Sequence, residues 1–362
     1  MLEVNRVKKI DAIFFVIRDL LAVGIALVVS FLLIFIVSDD AWEALSLFLF
    51  GPLQTVSRVG YIVEKMIPLL FTGVGVSLMF RCKQVNMGSE GAFYLGGVIS
   101  TAVAVKLALP AGIHPVACMI AAGLVGALVC GTTAVLHTKF HALTIVTSLM
   151  LNYICLYFGQ YLINNPLWDP SAGFQASYKY AETALLPKIF SRTNIHAGLF
   201  IALLAVVFGH FLIEKSTLGY KIRTVGYNPK FAAYAGINVT ATIILCQMIG
   251  GFLAGLGGAV EQLGMYKRFE YAGLSGHGSD GVMIAVIAGN NPKYVPISAL
   301  FLAYVSVGAE TMARMSDVPS EVVSIVQSII IMFVVAEKFL AGWKHKVIAG
   351  QSIKQMKTSE VK

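Results

Sequence analysis

The stretch VACMIAAGLVGALVCGTTAVL, Val116 to Leu136, runs for 21 residues without a charge. A helix needs about 20 mostly apolar residues to cross the ~30 Å hydrocarbon layer of a bilayer. In lipid only a helix or a closed barrel satisfies its own backbone, and a run of this length without alternation is a helix. Leu20 to Val37, Ile195 to Ile213 and Val322 to Ala336 are nearly as free of charge. Composition agrees: 57% of the residues are hydrophobic, 13% are charged, and mean hydropathy is +0.78. A soluble domain carries about 25% charged residues. The expected fold class is therefore all-α, a polytopic membrane protein.

Extending from that stretch, the apolar runs place spans at 20–37, 61–80, 91–109, 115–136, 142–163, 195–213, 240–263, 281–290, 294–313 and 320–340, about ten transmembrane helices. The eighth is too short to cross alone, so a broken or half helix is expected there. The third starts directly after Gly88-Ser89-Glu90-Gly91, and that tetrad returns as Gly278-Ser279-Asp280-Gly281. With the N-terminus inside, most of the 27 lysines and arginines fall in cytoplasmic segments, as the positive-inside bias requires. The first copy of the tetrad then faces the cytoplasm and the second faces outside. Inverted repeats with broken helices are a transporter signature. This topology gives a cytoplasmic tail at 1–19, a transmembrane body at 20–343 and a cytoplasmic tail at 344–362. It also gives an extracytoplasmic loop at 164–194 and a cytoplasmic loop at 214–238. The first run lacks a small-residue cleavage site and reads as a transmembrane helix rather than a cleaved signal.

The net charge of +8 is spread over short loops and tails, which excludes a nucleic-acid surface. The five cysteines lack metal-ligand spacing and are expected to be buried or reduced. No P-loop, H-E-x-x-H or G-x-S-x-G occurs, so no catalytic, ATP or metal site is expected in this chain.

Ser89-Glu90 and Ser279-Asp280 have two compatible readings: caps of helix starts, and walls of a substrate path. An acid at the helix start disfavours an anionic substrate there. Asn86, Asn152, Gln247, Gln262 and Gln327 suit hydrogen bonds between helices, worth ~0.6 kcal/mol each in a membrane. As a group they also suit a neutral, hydroxyl- or amide-rich solute. Lys106 is expected to snorkel outward. Phe93, Tyr153, Tyr157 and Phe158 read as packing or lipid-facing aromatics, with stacking on a planar base as the alternative. Gly251 and Gly255 form a GxxxG for close helix approach. In the cytoplasmic loop, Asn228-Pro229 starts and Gly236 stops a short helix of about two turns. It reads either as a surface loop or as a docking knob for another protein.

Asn86-Met87-Gly88-Ser89-Glu90-Gly91 with Gly96-Gly97 resembles the N-[IM]-G-x-E-G segment of bacterial ABC importer inner-membrane permeases of the simple-sugar, nucleoside and branched-chain amino-acid family. Val225-Gly226-Tyr227-Asn228-Pro229 with Ala232-Ala233-Tyr234-Ala235-Gly236-Ile237 is similar to that family's coupling-helix motif. Leu253 to Glu261, Gly276 to Gly281, Gly289 to Pro292 and Val318 to Glu321 continue the likeness in order, and Ser148 to Ile154 resembles the nucleoside branch. It departs at His277 and Ser279, where an aromatic pair is usual, and at Ala288-Gly289-Asn290, which lacks the customary basic residue.

The resemblance implies a type II ABC importer permease fold in the bacterial inner membrane, carrying nucleosides or a similar neutral solute. It implies a substrate path near Asn86, Glu90, Ser148, Asn152 and Asp280. ATPase coupling is implied through Gly226, Asn228, Pro229, Ala232, Ala233, Tyr234, Ala235 and Gly236. It further implies a second permease subunit (a paralogue or a second copy), a cytoplasmic ABC ATPase that holds ATP and Mg, and an extracytoplasmic solute-binding lipoprotein. The alternatives are a simple-sugar permease and, from another class, an ion-coupled secondary transporter.

Overall fold

A computed structural model describes residues 24–25, 28–38, 40–190 and 193–335. In chain order its helices are α1 (Val28–Val37), α2 (Ala41–Phe50), α3 (Val56–Arg81), α4 (Ser89–Lys106), α5 (Ile113–Phe140), α6 (Thr144–Asn164), α7 (Gly198–Lys215), α8 (Thr217–Tyr227), α9 (Pro229–Tyr234), α10 (Val239–Met265), α11 (His277–Ile287), α12 (Val295–Met315) and α13 (Ser320–Val335). Six of them, α3, α5, α6, α7, α10 and α12, are long and apolar enough to cross a membrane. The other expected spans coincide with shorter or less apolar helices, α1, α4, α11 and α13. The tails at 1–19 and 344–362, and the outer parts of the first and last expected spans, lie outside the described residues.

The chain divides into two units, Met1–Pro52 with Gly308–Lys362, and Leu53–Val307. In the first, Asp40 caps α2 by accepting from the Glu43 amide. The Ser38 hydroxyl donates to Asp317 at 2.6 Å, holding the end of α1 to the turn before α13. No expected span covers α2. Its ten residues are too few to cross a bilayer.

The second unit is built around α10. Its side chains are small where neighbouring backbones come closest. A Cβ on Gly251 would overlap the Gly126 carbonyl and the Cys130 side chain of α5, and one on Gly255 would overlap the Ala122 carbonyl. The GxxxG thus packs α10 against α5 at backbone contact, as expected. Without a hydrophobic force between helices in lipid, such close van der Waals packing supplies the association. All five cysteines are free and buried.

The described residues of 164–190 fold back over this unit. They carry two single turns, Pro170–Ala172 and Glu182–Ala184, and two isolated bridges, Trp168 with Ser177 and Lys188 with His196. Tyr180 is buried and donates to Gln262 of α10 at 2.9 Å, and its hydroxyl lies 3.0 Å from that of Thr101 on α4. Arg268 pairs with Asp169 at 3.5 Å.

Two elements match the expected helix breaks. The half helix α11 has 11 residues, roughly 16 Å at 1.5 Å per residue, about half a hydrocarbon layer. The helix α4 starts at Ser89, which is fully buried, so its first turn lies inside the packed unit.

Candidate functional site

Four of the five expected path residues converge where the chain enters α4. Asn86 is fully buried. Its amide nitrogen donates to Thr133 of α5 at 2.7 Å and to Gln247 of α10 at 2.8 Å, and its oxygen accepts from the Gly88 amide at 2.7 Å. Ser148 of α6 accepts from the Met87 amide at 3.1 Å. Asn152, one turn on, accepts from the Gly91 amide at 2.9 Å and donates to the Met87 carbonyl at 3.0 Å. A broken helix start inside a membrane exposes amides that lipid cannot satisfy, and these three neutral side chains hold them. Their polar atoms are thereby engaged with the turn at 86–91.

Glu90 acts on the other repeat. Its carboxylate accepts from the Gly276 amide at 2.6 Å and from the Ser279 amide at 2.8 Å. Gly276, at the N-cap of α11, has φ +84 and no side chain to cap with, so the acid on α4 supplies the cap. The two tetrads are in direct contact. Ser89 donates to the Gly278 carbonyl at 3.3 Å, and a Cβ on Gly278 would overlap the Glu90 backbone. Two helix starts, each the positive end of its dipole, therefore meet here with acids between them.

Asp280, in the first turn of α11, interacts electrostatically with Glu90 and His277. Among the described residues its carboxylate accepts no hydrogen bond that would reciprocate the two that Glu90 accepts from Gly276 and Ser279. His277 Nε2 lies 2.7 Å from Glu261 of α10, which is buried. Its ring also sits edge-on to Phe93, with centroids 5.3 Å apart. His277 thus stands where the resemblance led to an aromatic residue, and its imidazole meets Glu261 instead. Glu261 and His277 both figure in the resemblance, but their contact is not readable from sequence, because it joins two helices across an irregular loop.

The aromatic candidates separate. Phe93 is buried and engaged with His277. Tyr153, Tyr157 and Phe158 are exposed on α6, and Tyr161 extends the Tyr153–Tyr157 spacing by another four residues. Among the described residues the hydroxyls of Tyr153, Tyr157 and Tyr161 make no hydrogen bond within the chain. Gln262 bonds to Tyr180, Gln247 bonds to Asn86, and Lys106 is the exposed last residue of α4.

The expected cytoplasmic helix is α9. Asn228 caps it by accepting from the Lys230 and Phe231 amides, Pro229 is its first residue, and Gly236 follows its end with φ +79. It is preceded by α8, a helix within the expected loop 214–238, which buries Gly219, Ile222, Val225 and Gly226 on one face. Of the expected coupling residues, Gly226 and Ala232 point inward. Asn228, Pro229, Ala233, Tyr234, Ala235 and Gly236 are exposed, with Tyr227 and Phe231 beside them. A Cβ on Gly226 would overlap the Arg81 carbonyl at the end of α3.

Residues 58–335 match the family described as branched-chain amino acid transport system / permease component. The chain is 34% identical to the guanosine ABC transporter permease protein NupP of Bacillus subtilis (strain 168), over 78% of this chain and 83% of that one. It is 29% identical to the glucose ABC transporter permease protein TsgB13 of Haloferax volcanii, over 78% and 77% of the two chains. It is also 29% identical to the nucleoside ABC transporter permease protein NupB of Lactococcus lactis subsp. cremoris (strain MG1363), over 89% and 92%.

Proposed function

Since the chain belongs to the family of branched-chain amino acid transport system permease components, we propose that it forms one half of a membrane conduit through which an ATP-driven importer takes up nucleosides. It is a transport component, not a catalytic enzyme.

The observation that carries the cargo class is the exposed stripe on α6. Tyr153, Tyr157 and Tyr161 lie roughly 14, 20 and 26 Å along a helix of about 31 Å. Tyrosine is at home at the membrane interface, but three rings in file cannot all reach it. A hydroxyl left in hydrocarbon without a partner costs several kcal/mol. The stripe therefore belongs against a polar conduit, where flat phenol faces suit a planar base and the hydroxyls suit ribose. Asn86, Glu90, Ser148, Asn152 and Asp280 then form the wall behind it. Asn86, Ser148 and Asn152 of that wall fix the broken helix, Glu90 caps α11, and Asp280 retains free acceptor capacity. Similarity to guanosine and nucleoside permeases supports this cargo. The second reading, a simple sugar, is favoured by the likeness to TsgB13.

The partners follow from the surfaces. The exposed aromatics Tyr227, Phe231 and Tyr234 on the α8–α9 knob suit a pocket on a cytoplasmic ATPase that holds ATP and Mg, aromatic anchors being the usual hot spots. The folded segment 164–194 suits a solute-binding lipoprotein outside, and α6 faces a second permease. About ten crossings, with both termini in the cytoplasm of a bacterial inner membrane, complete the proposal.

The test is uptake by the complete transporter in proteoliposomes. ATP-dependent accumulation of labelled guanosine that excess glucose does not displace is the expected result. Accumulation of glucose and not guanosine assigns the sugar reading instead. Replacing Gly226 and Ala233 by bulky charged residues tests the docking, because uptake that persists with the ATPase still bound removes that role.

A further inference from the structure

We propose that Arg81 is a positioning residue that transmits movement of the α8–α9 knob to the half helix α11. The proposal rests on the reading of that knob as the ATPase dock.

Three contacts stand in series. At the knob, Gly226 of α8 lies so close to the Arg81 carbonyl that a Cβ there would overlap it, so α8 cannot move toward α3 without pushing the end of that helix. At the middle, the Arg81 side chain crosses to another element, and its Nε donates to the Asn290 carbonyl at 2.7 Å. At the far end, α11 is held at its first turn by the two bonds from Glu90. The half helix thus lies along α3, with Gly281 against Thr72 and Ile284 against Gly73, is capped at its start by Glu90 of α4, and is tied at its end by the Arg81 side chain.

The chemistry of the middle contact is specific. The last turn of α11 closes through Asn290, whose amide donates to the Ala285 carbonyl at 2.8 Å, with Gly289 and Asn290 at φ +60 and +55. Such an ending leaves carbonyls at the negative end of the helix dipole, where a cation is favoured. Arg81 is also the last residue of α3, so one guanidinium serves the carboxyl ends of two helices and ties them together. A basic residue beside Asn290 in sequence would serve α11 alone. Supplied from α3, the same charge adds a directed tie at the end of α11 to the packing of Ile284 on Gly73.

The experiment uses the complete transporter in proteoliposomes and reads solute taken up per ATP hydrolysed, with wild type, Arg81→Lys and Arg81→Gln compared at equal recovery of the ATPase. For Arg81→Gln this ratio is expected to fall at least about tenfold, the loss that one charge-assisted hydrogen bond implies. ATP hydrolysis should continue, and Arg81→Lys should lie between. A ratio equal to wild type in Arg81→Gln overturns the proposal, as does a loss of uptake matched by an equal loss of hydrolysis, which marks a merely structural role. Hydrogen exchange on the wild-type complex gives a second measurement independent of any variant. Trapping nucleotide is expected to alter exchange at 222–227 and at 288–291 together, and a change confined to α8 and α9 overturns the relay. A wild-type chain that retains no ATPase refutes the docking reading itself, an outcome distinct from both.

Discussion

Glu90 stands in the first turn of one helix and caps another. Two amides of α11 depend on its carboxylate, and hydrogen bonds to a charged group contribute about 1.5–3 kcal/mol each. Glu90→Ala is expected to destabilise the protein by roughly 3 kcal/mol or more on that basis, and Glu90→Gln by about half as much, since an amide keeps one acceptor. Thermal unfolding of the purified protein in detergent measures both, and equal melting of wild type and Glu90→Ala would show the cap to be idle. From sequence, Ser89-Glu90 was readable as a helix start. That the acid serves the opposite repeat was not, because its partners lie 186 and 189 residues away. The Asn86, Ser148 and Asn152 cluster was half legible. Polar residues in apolar runs announce themselves, but their convergence on one turn is a property of packing. A second expectation concerns Glu261, whose buried carboxylate faces His277 at 2.7 Å. Removing one partner of a buried pair strands the other and costs about 3–5 kcal/mol. The Glu261→Ala, His277→Ala double variant should therefore be less destabilised than the sum of the two single variants, and a double-variant cycle in the same melting assay reads the difference.

At the scale of the element, α9 was legible because its signals are local: an Asn cap, a Pro at the first position and a Gly just past the end. The preceding helix α8 was not, because what makes it a helix is a buried face of Gly219, Ile222, Val225 and Gly226 that has meaning only against its neighbours. With Phe231 and Tyr234 exposed on the knob, Phe231→Ala and Tyr234→Ala are each expected to weaken ATPase retention at least about tenfold, the usual effect at an interface hot spot. Co-purification at graded salt checks this, and unchanged retention for both would move the dock elsewhere. On α6 the stripe of tyrosines makes a different prediction. Tyr157→Ala should lower nucleoside uptake while leaving ATPase retention intact, whereas Tyr157→Phe should keep most of the stacking. If the alanine variant transports like wild type, the solute passes along another face.

For the whole molecule, the long apolar runs sufficed to read an all-helical membrane protein, and the edges of α3, α5, α6, α7 and α10 fall within a few residues of the runs. The number of crossings is harder to read, because α4 and α11 begin inside the packed unit, where hydropathy alone does not separate a half helix from a short span. Orientation rests on charge. A protease site fused after Lys362 should be cut in inside-out vesicles and protected in right-side-out ones, and the reverse pattern would invert the topology. The GxxxG offers a check on assembly. Gly251→Leu would force side-chain volume between α10 and α5 where the Gly126 carbonyl now sits, and failure to accumulate in the membrane is the expected result.

The clasp between Glu90 and α11 also has a history during synthesis. At ~5–20 residues per second, a ribosome needs roughly 10–40 s to make the 186 residues that separate Glu90 from Gly276. For that interval the nascent chain holds an acid at the start of α4 whose lasting partners do not yet exist, and bare hydrocarbon is a poor place for it to wait. Insertion of α4 must therefore be provisional, with its acid kept wet beside the insertion machinery until the stretch from Gly276 onward arrives. A message truncated just before Gly276 should yield a product that membrane proteases remove faster than one truncated just after Asn291, so the quality control of this protein is written into the order in which its two halves are born.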